Sequence, residues 1–130
     1  MKAFDANNGH LYVLSPIEVE PGMDFEDLKR QLKENTIPFV ESDSYNLFQF
    51  INLNNIRFDN KTFKLELYFD KKRLKTISFD FVCDKGYEIS FEQWVAEMLD
   101  NKSAFAWGRM KVDDHPKYNV PLINLSYDLP

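Results

Sequence analysis

Residues 62–69 read Thr-Phe-Lys-Leu-Glu-Leu-Tyr-Phe, and they alternate cleanly. Phe63, Leu65, Leu67 and Phe69 fall in one phase, Lys64, Glu66 and Tyr68 in the other. Side chains of a strand point to opposite faces in turn, so this stretch predicts one buried and one wetter face, as in antiparallel sheets. The flanking sequence repeats the pattern. Asp70-Lys71-Lys72-Arg73 is a polar turn, after which Lys75–Cys83 returns with Ile77, Phe79 and Phe81 in phase. Asp59-Asn60-Lys61 turns the chain back to Leu47–Phe58. The expectation is a central three-stranded meander.

Two helix starts flank it. Pro21-Gly22 breaks the chain, Asp24 can cap, and Met23 and Leu28 occupy the positions of a hydrophobic staple. Phe25, Leu28 and Leu32 then mark one helical face, with Glu26 and Asp27 at the positive end of the dipole and Lys33 near the negative end. Asn35 and Pro38 mark the stop. In the second start, Ser90 and Gln93 form a capping box and Ile89 and Trp94 a staple, ahead of a stripe of Phe91, Trp94, Val95, Met98 and Leu99 that Asn101 ends. The two starts resemble each other, which we attribute to shared capping chemistry rather than to duplication.

The remaining strands are Phe105–Val112 and Leu122–Tyr127, a C-terminal hairpin closed by a loop through Asp113-Asp114-His115-Pro116, and two weaker ones, Leu11–Leu14 and Ile37–Glu41. Pro121 must start its strand or lie on an edge. The fold class is therefore α+β: a single domain over residues 1–130, mostly antiparallel β-sheet (central three-stranded meander plus C-terminal hairpin), with two α-helices packed on one face.

Composition narrows the function. Apolar residues make up 44% and charged residues 28%, so the chain is globular rather than disordered. With 21 acids against 16 bases it is a poor ligand for nucleic acid or an anionic membrane. The N-terminal stretch has no apolar segment of the secretory kind, and no run reaches the ~18 apolar residues of a membrane span, so the chain is read as cytoplasmic. Its one cysteine, Cys83, allows no internal disulfide and reads as a small buried hydrophobe.

No catalytic residues, cofactor or metal are expected. Four scattered glycines make no phosphate loop, and one cysteine with two distant histidines makes no zinc framework. Asp113-Asp114-His115 could orient an imidazole or hold a hard cation, but a solvated turn explains it better. Glu18 and Glu20 share a face if extended, with no cleft to raise one pKa. Lys71-Lys72-Arg73-Leu74-Lys75 reads as a solubilising turn that protects strand edges.

Two features stand out. Aromatic residues reach 15%. Most fill the core phase, but Tyr45, Phe48 and Phe50 around the polar stretch Ser42-Asp43-Ser44, Tyr68 on the wetter face of its strand, and Trp107 do not follow it, and Tyr and Trp in partly exposed positions are common interface anchors. Gly108, after Trp107, suggests a bulge or a close backbone approach. Charge is also uneven. Residues 1–60 hold ten acids and five bases, residues 61–130 eleven of each, and Glu18 to Asp43 alone carries eight acids against three bases.

In size, acidity, aromatic content and lack of a catalytic constellation, the chain resembles the small bacterial immunity-type inhibitors that neutralise toxins. That resemblance implies an inhibitor presenting carboxylates to a basic protein partner, a toxin and possibly a nuclease, with steered association and aromatic anchors. The expected partner-binding residues are Glu18, Glu20, Asp24, Glu26, Asp27, Glu41, Asp43, Tyr45, Tyr68 and Trp107. The competing readings are a small-ligand-binding protein or enzyme with an aromatic-lined pocket, and a structural subunit of a larger assembly.

Overall fold

The computed structural model describes residues 3–58, 61–81, 93, 97, 102–114 and 121–129. Its elements are α1 (Phe25–Glu34), β1 (Val40–Ser44), β2 (Phe48–Phe58), β3 (Lys61–Asp70), β4 (Arg73–Phe81), β5 (Ala104–Phe105), β6 (Gly108–Asp114) and β7 (Pro121–Tyr127). The seven strands form one sheet in the order β1-β2-β3-β4-β7-β6-β5, antiparallel at every pairing.

The meander forms as β2, β3 and β4, and the C-terminal hairpin as β6 and β7. Pairing of β7 with β4 joins the two into a single sheet. The proline sits at the first position of β7, where the missing N–H costs least. The period of two holds through most of the sheet. Ile51, Leu53, Phe63, Leu65, Leu67, Phe69, Ile77, Phe79, Ile123 and Leu125 are all buried. Leu74 joins them out of phase because a bulge between Tyr68 and Phe69 sets Phe69 opposite Leu74 and Tyr68 opposite Thr76. The other phase, with Asn52, Lys64, Glu66, Ser78 and Asn124, is exposed or half-buried.

The first helix is built as its sequence dictates. Asp24 takes an extended conformation and its carboxylate accepts from the Asp27 N–H at 3.0 Å. Phe25, Leu28 and Leu32 are buried, and the Phe25 ring meets Phe69 edge-on at 5.1 Å. Burying three such side chains contributes about 1.5–3 kcal/mol each, against about 1 kcal/mol for the cap, so packing on the sheet decides the helix.

Several expectations need correction. The sheet dominates, and α1 is the single helix shown in full among the described residues. The second expected helix lies outside the described residues except for Gln93 and Glu97, which are helical and linked by a side-chain hydrogen bond of 3.2 Å. Cys83 and His115 also lie outside them. Leu11–Leu14 is not a strand: Leu11 makes isolated bridges to Phe4 and Val19, and the chain then turns twice, Ser15 N–H to Tyr12 O at 3.2 Å and Ile17 N–H to Leu14 O at 2.9 Å. The strand expected at Ile37–Glu41 runs instead from Val40 to Ser44, because Ile37 still donates to Leu32 O at 2.9 Å as part of the helix end. Phe105–Val112 is broken at Ala106-Trp107 into β5 and β6. Asp113 and Asp114 belong to β6, opposite Leu122 and Pro121, rather than to the loop.

The irregular residues 3–23 close one end of the core. Phe4, Leu11, Val13, Leu14, Ile17, Val19 and Met23 join the same buried cluster as the sheet and α1. Gly9 crosses the Trp107 ring so closely, at φ +77°, that a Cβ there would lie 2.8 Å from Trp107 Cδ2. The Tyr127 hydroxyl donates to Gly9 O at 2.7 Å, and burial pushes that phenol's pKa far above its ordinary value.

Candidate protein-interaction surface

The β1–β2 hairpin is the most exposed apolar feature among the described residues. Its turn residues Tyr45 and Asn46 both have positive φ, 53° and 60°, which suits the twist of a tight hairpin. The turn is tied down locally: the Leu47 N–H donates to Ser44 O at 2.9 Å and the Asn46 N–H to Asp43 Oδ1 at 3.0 Å. Tyr45 is therefore held outward, 93% exposed, with Val40 at 63%, Leu47 at 51% and Phe48 at 44%. Phe48 stacks on Tyr68 at 5.9 Å, and Phe50 tilts against the same ring at 5.2 Å. Partial burial and the nearby Asp70 carboxylate raise the Tyr68 phenol above its ordinary pKa.

One buried amide fixes this hairpin to the rest of the molecule. Gln49 is fully buried; its Nε2 donates to Asp43 Oδ1 at 3.0 Å and its Oε1 accepts from the Lys72 N–H at 2.7 Å. The Lys72 carbonyl in turn accepts from the Phe25 N–H at 2.9 Å, and Leu74 N–H donates to Met23 O at 2.9 Å. The main chain of the basic β3–β4 turn thus docks against the first turn of α1, while the Lys71 and Arg73 side chains stay exposed.

That docking changes the acidic segment. Glu26 accepts from Lys29 at 3.1 Å and Lys72 at 3.3 Å, and the hydrogen bond from Lys29, joined by that from Lys72, holds its carboxyl below the ordinary pKa. Lys29 also reaches Glu41 at 2.8 Å, and that bond chiefly raises the ammonium pKa. Arg30 pairs with Asp27 and, at 3.2 Å, with Glu34. Asp24 is occupied by the cap and Glu18 meets His10 Nδ1 at 2.5 Å. Glu20 is exposed. Lys29 and Arg30, already counted in that stretch, pair with its acids, and folding adds one cation from outside it, Lys72.

Of the expected residues, Tyr45 lies in the hairpin turn and Tyr68 on β3 in the phase of Phe48 and Phe50, while Glu41 and Asp43 lie on β1 in the opposite phase, with Ile51 and Gln49. Trp107 does not join them. It is 9% exposed, its indole N–H donates to Ala6 O at 2.8 Å, and its ring packs with Phe4, Phe105 and Tyr127. It closes the core and is not a surface anchor. Phe48 was among the aromatics that sequence set apart from the core, whereas Val40 and Leu47 were not singled out; their place on a short edge hairpin exposes them.

The described grooves are shallow in aromatic content. One of about 490 Å³ is lined by residues including Ile37, Phe39, Asn52, Asn55 and Ile56, and one of about 280 Å³ lies on the polar face around Asn52, Lys64, Glu66, Ser78 and Asp80. Among the described residues no cluster of three His, Cys, Asp or Glu could hold a metal ion, and no helix is long and apolar enough to cross a membrane. No family model and no curated protein matches the chain.

Proposed function

We propose that this protein is a cytoplasmic protein-binding module of the immunity type, which neutralises a basic toxin by covering it with the β1–β2 hairpin. The observation that carries the reading is the set of large exposed apolar side chains on this one hairpin, Tyr45 and Leu47 in its turn, Phe48 next to it and Val40 at the other end of β1, with Glu41 and Asp43 on the opposite face of the same strand. Large apolar side chains gathered at one place on a surface mark interaction sites, and aromatic anchors carry much of the energy of an interface. The carboxylates of the same hairpin add steering toward a cationic partner, such as an enzyme that must itself hold nucleic acid. The acids of α1 contribute less in this reading, since local cations already offset them. The small-ligand reading has weaker support, because the grooves described above carry one aromatic residue, Phe39, while Phe25, Phe63, Phe69 and Phe79 fill the interior.

Affinity purification from native lysate, with mass spectrometry and reconstitution, tests this. The expected result is one basic protein in an equimolar complex that loses its toxic activity, encoded by the adjacent reading frame. Recovery of the chain only as a homo-oligomer, or bound to a small molecule, contradicts it.

A further inference from the structure

The strand β1 pairs with β2 on one side, and among the described residues no strand pairs with its other side. We propose that this outer edge takes an extended cationic segment of the partner protein as an additional strand, with Lys or Arg at the two alternate positions opposite Glu41 and Asp43. The proposal rests on the protein-binding reading of the hairpin and specifies how the partner is held.

An open strand edge offers main-chain N–H and C=O groups in register, and peptides are commonly bound by pairing with such an edge. All five residues of β1 are exposed. A five-residue strand spans roughly 17 Å, the length of an ordinary sheet strand, so there is room for a full ladder. Side chains then set the choice of occupant. Register places Glu41 opposite Ile51 and Asp43 opposite Gln49, on the face of the sheet that packs against α1, whereas Val40, Ser42 and Ser44 lie on the other face. An added strand shares these faces, so its residues opposite Glu41 and Asp43 meet two carboxylates directly.

A second copy of this chain is a poor occupant. Antiparallel pairing of two β1 edges about Ser42 would set Glu41 of each copy against Asp43 of the other, and like charges directly opposite disfavour a ladder. The same carboxylates favour a strand with cations in that phase. Both stay accessible to it: the Glu41 side chain is 42% exposed although Lys29 reaches it from α1, and both hydrogen bonds that Asp43 accepts fall on Oδ1. The exposed Val40 then leaves an apolar contact for the alternate phase.

The test is amide hydrogen exchange of the full chain with three nine-residue probes. They are a peptide with lysine at alternate positions, its glutamate analogue, and the lysine peptide N-methylated on the amides that would pair. The lysine peptide is expected to slow exchange across Val40–Ser44, and the other two to leave it unchanged. Glu41→Gln/Asp43→Asn, which keeps an oxygen acceptor at position 43 for the turn, should weaken the lysine peptide about threefold to thirtyfold. Glu41→Lys/Asp43→Lys should transfer the preference to the glutamate peptide. No slowing with any probe, equal slowing by the N-methylated or glutamate peptide, or slowing confined to other strands overturns the edge proposal. A toxin complex recovered from lysate alongside such a result leaves the protein-binding reading standing and removes only the strand-pairing mode.

Discussion

At the scale of single residues, the molecule depends on a few close fits between distant parts of the chain. Gln49 is the clearest. Its amide joins Asp43 at the hairpin tip to the main chain of Lys72, and both contacts are buried or half-buried. Gln49→Leu fills similar space but leaves the Lys72 N–H without its acceptor, which costs about 1–3 kcal/mol. Urea unfolding should show a lowered midpoint with an unchanged slope. Gly108 is a second such position. A Cβ there would stand 2.0 Å from the carbonyl oxygen of Ser126 on the paired strand, so Gly108→Ala must push β6 from β7. We expect a loss of roughly 1–3 kcal/mol or more, read as a fall in Tm. The sequence pointed to this glycine as a bulge or a close approach, and the close approach is what the structure has. Trp107 was not legible in the same way. Its partner carbonyl, Ala6, is 101 residues away, and no local pattern distinguishes a tryptophan that closes a core from one that anchors a partner.

Local chemistry determines some elements and not others. The cap at Asp24, the buried triplet Phe25, Leu28 and Leu32, and the acidic first turn of α1 all follow from residues within one or two turns of each other, so sequence located them. Asp24→Ala should lower stability by about 0.5–2 kcal/mol in thermal unfolding. The Glu26 carboxyl, held below its ordinary pKa by Lys29 and Lys72, gives this turn a pH dependence. Because the folded value is the lower one, the contribution is complete above the unfolded pKa and is lost as pH falls through the folded value. Wild type should therefore lose slightly more stability than Glu26→Gln between neutral and acidic pH, an effect small because the pair is exposed. The meander was legible because alternation is a local signal. The bulges at Tyr68–Phe69 and Leu53–Ile56 and the turns of residues 12–17 were not, since each answers to packing against chain far away.

For the whole molecule, the acidic excess changes meaning once the chain is folded. Eight acids between Glu18 and Asp43 suggested one continuous surface. Folding brings Lys72 from the β3–β4 turn to Glu26 and sets Lys29 between Glu26 and Glu41. What remains most open is the hairpin at the edge of the sheet, which exposes Tyr45, Leu47 and Phe48 and carries Glu41 and Asp43 on the α1 side of β1. Of the ten residues expected to bind a partner, Glu41, Asp43 and Tyr45 lie on this hairpin; that its outer edge pairs with no strand among the described residues was not legible, because strand order is a property of the assembled sheet. The central claim is that this hairpin, not the face of α1, binds the partner. The most direct measurement is the affinity of the reconstituted complex for two paired variants. Tyr45→Ala/Phe48→Ala should weaken binding at least about thirtyfold, as loss of two aromatic anchors does, while Glu26→Gln/Asp27→Asn should stay within about threefold. A complex unaffected by the hairpin pair and dissociated by the helix pair would contradict the account.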